Sequence, residues 1–255
     1  MHSSSTLKSV GSCGDTLCAV EDLHLHSVDI TSAFPNGDLD EEIYMIQPEG
    51  YHQGGAGKVL KLHKSLYGLK QAARQWNKRL HSVLLHMGFK QLQSDHSIYL
   101  YNQNEVHIIM PIYIDDITLA SSNAAALDST VKELASHFKL HDLGETKFLL
   151  GIEVSRNHSN HSISLSQCQY IIDMLERFNM SDCNPVCTPI SPGTVLSKSM
   201  APQTLDDVQE MASVPYLSAV GSLLYLATTT HQTLHTLCPC LHTLIQTQVC
   251  SIGLQ

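Results

Sequence analysis

The sequence predicts an α+β fold, a β-sheet carrying helices on one face. Three observations predict it. Strand-like and helix-like segments follow one another as strand, helix, strand and hairpin, the order such a sheet requires. An apolar run over 106–114 and a second over 117–120 meet across two adjacent carboxylates, Asp115 and Asp116, as two strands meet at a hairpin tip. A stretch over 70–87 puts Trp76, Leu80, Val83, Leu84 and Met87 on one helical face.

Residues 1–20 show no clear period. The first strand is expected over 23–30, where apolar and polar residues alternate as on a half-buried strand. It ends at Asp29, shortly before Asn36-Gly37, a strong turn signal. Strands are expected over 42–46 and 58–62, then the helix over 70–87, then strands over 97–101, 106–114 and 117–120. A second helix follows over 123–138, opened by Ser122 or Asn123 as its cap. Strands over 147–154 and 162–166 and a helix over 167–179 come next. Residues 181–205, rich in Pro, Ser and Thr, read as a linker before a fourth helix over 206–228.

Composition bounds the function. The 255 residues suffice for one large or two small domains, and a hydrophobic content of 43% supports a packed core. No run of 18 or more apolar residues exists, so no membrane span is expected. The N-terminus lacks the charged-then-apolar layout of a secretory signal, which leaves the cytoplasm as the default location. A net charge of −9 argues against a free-standing nucleic-acid binder but not against an acidic metal site. The 16 His add positive charge only below about pH 6.5. Eight scattered Cys contain no Cys-x-x-Cys pair, so a reducing compartment is the default.

Two carboxylates between apolar strands make little sense for packing, since burying one unpaired carboxylate costs several kcal/mol and neighbours repel. An ordinary charged turn is the bland reading of Asp115 and Asp116. A divalent cation, gripped through hard oxygens, is the sharper one. Asp29, closing another strand, supplies a third carboxylate, and three such groups can hold two metals about 3.5–4 Å apart for phosphoryl transfer. Lys70, Arg74, Lys78 and Arg79 could meet phosphates or simply form a solvated helix face.

Further motifs carry a resemblance. They are Val28-Asp29-Ile30 with Ala33-Phe34 and Asn36-Gly37-Asp38, Gln47-Pro48-Glu49-Gly50, Lys64-Ser65-Leu66-Tyr67-Gly68-Leu69-Lys70-Gln71-Ala72 with Arg74-Gln75-Trp76, and Tyr113-Ile114-Asp115-Asp116. Downstream lie Asp142-Leu143-Gly144-Glu145, Leu149-Leu150-Gly151-Ile152-Glu153 and Val214-Pro215-Tyr216 with Ser218-Ala219-Val220-Gly221-Ser222. In this order, from about residue 20 to 230, the chain resembles the reverse transcriptase domain of copia-type retrotransposon Pol polyproteins.

The resemblance implies a polymerase palm, a split βαβ sheet with helices on one face, followed by partial thumb or connection helices. It implies RNA-directed DNA synthesis from deoxynucleoside triphosphates on an RNA template and a DNA primer, with two Mg²⁺ or Mn²⁺ ions held by Asp29, Asp115 and Asp116. Phe34 resembles the aromatic gate that excludes a 2′-hydroxyl, with a core aromatic as its bland reading. Gln71 resembles a contact to the incoming nucleotide, with a solvated helix-entry residue as the alternative. Leu150 and Gly151, within Phe148-Leu149-Leu150-Gly151, resemble the primer grip, where a Gly lets backbone approach DNA closely. Oligomeric state is not encoded in these motifs.

Two departures are expected to matter. About 28 residues precede Asp29, so residues 1–20 read as the end of a fingers segment whose basic residues normally grip the triphosphate. The domain division expected is palm and start of thumb over 21–180, linker over 181–205, and over 206–230 a helix leading toward a ribonuclease H domain. The resemblance stops after Thr230, and residues 231–255 read as a frameshifted tail. Suitable codons in another frame encode Pro-Asp-Ile-Ala-Tyr-Ala-Val, the continuation family members carry, and sequencing the gene tests this. The Cys238-Pro239-Cys240 pair beside His235 and His242 then reads as noise rather than a zinc site. Ala73, where the family usually has Pro, fits the same drift. The competing reading is a catalytically inactive, non-enzymatic remnant.

Overall fold

The computed structural model describes residues 15–55, 57–103, 105–184, 204, 209 and 214–230. The expected tail over 231–255, with its Cys and His residues, lies outside them. So do most of the expected linker and the start of the helix expected from 206. The chain divides into two compact units, one taking in Ser12–Lys147 and Asn157–Ile163, the other Phe148–Arg156 and the chain from Ser164.

The first unit opens with a short helix α1 (Asp15–Val20), then strand β1 (His24–Ile30) and a 3₁₀ turn, Phe34–Asn36. Strands β2 (Asp38–Ile46) and β3 (Val59–Lys64) pair antiparallel as a hairpin. Helix α2 (Ala72–His86) follows, then β4 (Lys90–Gln91), β5 (Ile98–Gln103), β6 (Val106–Tyr113) and β7 (Asp116–Ser121). Helix α3 (Ala124–His137) and β8 (Leu140–Glu145) complete it. The main sheet has six strands in the order β4-β5-β6-β7-β1-β8, antiparallel at every pairing. The chain is thus mixed α and β, as the sequence predicts.

Side-chain alternation gives this sheet two faces. Val28 and Ile30 of β1, Ile108 and Met110 of β6, and Ile117 and Leu119 of β7 bury into one cluster with Trp76, Leu80 and Leu84 of α2 and Leu127, Val131 and Leu134 of α3. The apolar faces of both helices recur every three or four residues, which is why each packs as a stripe. Asn123 is the cap of α3, its side chain accepting from the Ala126 N–H at 3.1 Å. The opposite face is covered by a smaller cluster in which Cys18 and Leu23 meet Ala120. Successive strand residues point to opposite faces. Asp29 and Asp116, each adjoining residues of the main cluster, therefore point away from α2 and α3.

Three expectations about elements need correction. β2 starts at Asp38 rather than 42, directly after the Asn36-Gly37 turn. A strand not anticipated, β8, pairs with β1 through Val28↔Asp142 and Asp29↔His141. The strand expected over 147–154 is instead a tight hairpin.

That hairpin lies in the second unit. β9 (Phe148–Leu149) turns at Leu150-Gly151 into β10 (Ile152–Asn157), pairing Leu149 with Ile152. Both turn residues have positive φ, +50° at Leu150 and +83° at Gly151, the demand of a two-residue hairpin loop. β11 (Ser162–Ser166) completes a three-stranded sheet, and helices α4 (Cys168–Arg177) and α5 (Tyr216–Thr229) follow. Tyr170 of α4 meets Tyr225 of α5 edge-on at 4.8 Å, and Thr230 donates to Gln167 Oε1 at 2.7 Å.

Candidate active site

The carboxylates come together at one end of β1 and the tip of the β6–β7 hairpin. Asp29 and Asp116 are directly paired across β1 and β7, and Tyr113↔Asp116 closes the hairpin around a two-residue loop, Ile114-Asp115. Paired Cβ atoms in antiparallel sheets lie about 4.5–5.5 Å apart. The three groups share one electric field. The Asp116 carboxyl is pushed above its ordinary value, first by burial and then by the negative charges of Asp115 and Asp29. A cation between them would relieve both causes, and carboxylate oxygens are the donors a hard divalent ion takes. Among the described residues no group of three His, Cys, Asp or Glu side chains is already gathered closely enough to hold an ion. The carboxylates thus match a hard divalent ion in donor chemistry, and backbone pairing sets Asp29 beside Asp116.

The loop itself is strained. Ile114 has φ +60°, a region a β-branched residue rarely enters. The left-handed conformation costs about 1–2 kcal/mol for a residue with a Cβ. Two hydrogen bonds fix the loop's carbonyls. The Trp76 indole N–H donates to the Ile114 oxygen at 2.7 Å, and the Ile30 N–H donates to the Asp115 oxygen at 2.9 Å. Neither contact leaves a trace in the sequence, because a backbone acceptor has no residue type.

Phe34 sits half-buried in the 3₁₀ turn after β1. The ring nearest to it belongs to Tyr67, exposed in the loop before α2, with centroids 4.7 Å apart and planes tilted by 56°. Gln71 is the residue that caps α2; its backbone oxygen accepts from Gln75, and its side chain makes no capping bond. Sequence reasoning singled out Gln71 in this loop and passed over Tyr67. The signal available was the aromatic directly before Gly68, at φ +94°, where the loop turns sharply. A cavity of about 720 Å³ runs from Phe34 past Trp76 and Tyr99 to Tyr113 and Ile114.

Of the basic residues, Lys78 is paired with Asp40 at 3.2 Å. Gln75, buried, donates to the same carboxylate at 3.0 Å, and together they hold its pKa below the usual range. That bond ties α2 to β2. In the other unit, Leu150 and Gly151 form the β9–β10 turn, and the Leu150 carbonyl accepts from the Tyr225 hydroxyl at 2.6 Å. No helix among the described residues is long and apolar enough to cross a membrane.

Comparison with known proteins adds the following. The family described as "Reverse transcriptase (RNA-dependent DNA polymerase)" matches residues 13–192. The chain is 41% identical over 212 residues to the retrovirus-related Pol polyprotein from transposon TNT 1-94 of Nicotiana tabacum, covering 82% of this chain and 16% of that protein. It is 36% identical over 206 residues to the Pol polyprotein from transposon RE1 of Arabidopsis thaliana, covering 80% of this chain and 14% of that one. A putative transposon Ty5-1 protein of Saccharomyces cerevisiae is 30% identical over 203 residues, 79% of this chain and 64% of its own length. The chain thus spans about a sixth of the length of the two plant polyproteins.

Proposed function

The chain belongs to the reverse transcriptase (RNA-dependent DNA polymerase) family, and we propose that residues 21–180 are the polymerase palm and start of thumb of a copia-type Pol polyprotein, catalysing RNA-directed DNA synthesis. The register pair Asp29↔Asp116 beside Asp115 carries this reading, supported by an Asp116 carboxyl raised by burial and then by its two acidic neighbours. Asp29, Asp115 and Asp116 would hold two divalent ions, Mg²⁺ or Mn²⁺, which lower the pKa of an attacking hydroxyl and neutralise the leaving group's charge.

The rest of the work falls to the chain's own side chains. The reaction joins a primer 3′-hydroxyl to the α-phosphate of a deoxynucleoside triphosphate and releases pyrophosphate. Phe34 would lie under the sugar, its ring occupying the space a 2′-hydroxyl needs. Tyr67, packed against it at a tilt, would hold that ring in place. Gln71, at the entry of α2, would face the incoming nucleotide, and Leu150-Gly151 would present backbone to the primer. Helix α5 would lead on toward a ribonuclease H domain.

Primer extension on an RNA template tests the reading, with Mg²⁺ and then Mn²⁺, against an Asp115→Asn, Asp116→Asn double variant. Extension by the parent and its loss in the variant support the proposal. No extension from a folded parent would sink it and leave the inactive remnant as the reading. In an active chain, Phe34→Ala should raise ribonucleotide incorporation relative to deoxynucleotide on the order of tenfold or more, about 1.4 kcal/mol of lost discrimination. Competition between the two nucleotides on one template measures it; unchanged discrimination would return Phe34 to the core.

A further inference from the structure

We propose that Trp76 is a positioning residue that holds the Ile114-Asp115 loop in its strained form and so sets where the Asp115 and Asp116 carboxylates point. The proposal rests on those carboxylates being the cation-binding groups. The contact is a single hydrogen bond, indole N–H to the Ile114 oxygen at 2.7 Å. It falls on the peptide group that joins the residue at φ +60° to Asp115, so it fixes the plane from which the Asp115 side chain leaves. The Ile30 N–H takes the next carbonyl, that of Asp115, at 2.9 Å. Ile30 adjoins Asp29, so the two bonds peg the loop to α2 on one side and to the third carboxylate's strand on the other.

The donor is itself held by packing. Trp76 is 2% exposed and meets Phe138 edge-on, centroids 5.1 Å apart. Its backbone is pressed against Gly37, where an added Cβ would stand 2.8 Å from the Trp76 nitrogen. Strain at a residue persists only where surroundings over-determine it, and this packed donor supplies one such constraint. Packing alone would be served by Phe or Leu; the indole N–H adds a polar anchor aimed at a carbonyl. Released, the loop has a way to relax that turns Asp115 aside, which is why the anchor and the strain belong together. The chain has one Trp, so its fluorescence reports on the loop directly.

The test uses the full chain and Mn²⁺ as probe. Mn²⁺ affinity is measured by calorimetry for the parent, for Trp76→Phe, and for a chain carrying 3-benzothienylalanine at position 76, which keeps the indole's shape and lacks its N–H. Each is repeated in an Ile114→Gly background, where the loop is unstrained. We expect a saturable change in Trp76 fluorescence on adding Mn²⁺ to the parent, absent from the Asp115→Asn, Asp116→Asn variant. Removing the N–H should weaken Mn²⁺ binding tenfold or more with Ile114 in place, and threefold or less in the Ile114→Gly background. Equal weakening in both backgrounds, or none in either, overturns the proposal, and the benzothienyl chain decides the matter if Trp76→Phe fails to fold. Primer extension separates this from the polymerase reading. Mn²⁺ binding that follows the expected pattern without extension defeats that reading alone; extension and Mn²⁺ binding indifferent to the N–H defeat the positioning role alone. A parent that binds no Mn²⁺ overturns both.

Discussion

An Asp116→Asn chain is expected to melt higher than the parent when divalent cations are chelated, and to extend no primer. The two effects have one cause. Burial, then Asp115 and Asp29, raise the Asp116 carboxyl in the folded chain above its ordinary 3.8. Below that unfolded value the group is protonated in both states and costs nothing. As pH climbs from there through the raised folded value, the unfolded chain ionises first and stability falls. Asparagine removes that slope. The group is only partly covered, and solvent screening holds the gain at neutral pH to about 0.5 kcal/mol. Mg²⁺ should reverse the order by stabilising the parent and not the variant, since only a chain that binds the ion in its folded state gains from it. Thermal melts from pH 4 to 8, with chelator and with Mg²⁺, measure all of this. A variant that melts lower than the parent in chelator would mean Asp116 is held by attraction rather than crowded by repulsion.

Gly37→Ala should destabilise the fold by about 2–3 kcal/mol through overpacking. Nothing about the backbone demands glycine there, with φ −81° and ψ 131°. What demands it is space. An added Cβ would meet the Trp76 nitrogen at 2.8 Å and the Gln75 carbonyl carbon at 2.9 Å, both main-chain atoms of α2 that cannot rotate away. The helix must shift, and the Trp76 indole shifts with it. Urea denaturation measures the loss. Gly68→Ala is the contrast, for Gly68 has φ +94° and nothing within 4 Å of the added carbon. It should cost no more than the conformational penalty of about 1–2 kcal/mol. Equal losses at the two sites would mean that α2 accommodates the methyl group and that the approach at Gly37 is not tight.

The parts legible in the sequence were those whose physics is local. Alternation from Leu23 to Ile30, two apolar runs meeting at Asp115-Asp116, the helical stripe through Trp76 and Leu80, and Asn123 before α3 each state a preference within a few residues. β8 does not. Leu140-His141-Asp142-Leu143-Gly144-Glu145 is a polar edge whose strand character comes from pairing with β1. Leu150-Gly151 hides inside an apolar stretch because a leucine at φ +50° carries no turn signature. Of the candidate site, the meeting of Asp29 with Asp115-Asp116 could be anticipated from strand ends and hairpin spacing. Tyr67 against Phe34 could not, nor could the indole on the Ile114 carbonyl, since both depend on how a loop and a helix are laid over the sheet.

The strand order has a consequence for how such a chain comes into being on the ribosome. β1 is made first in the main sheet, yet both its neighbours, β7 and β8, are made later. His26 and Asp142, joined by a hydrogen bond across β1 and β8, stand 116 positions apart. At typical rates of synthesis, the strand bearing Asp29 waits on the order of ten seconds for its second partner. Closing so long a loop is entropically slow, and a half-apolar strand with both edges bare invites wrong partners meanwhile. A translation product halted before β7 carries Asp29 with no second carboxylate strand beside it. The nascent chain therefore passes through a window in which Asp29 lies on a strand that its own sheet does not yet cover.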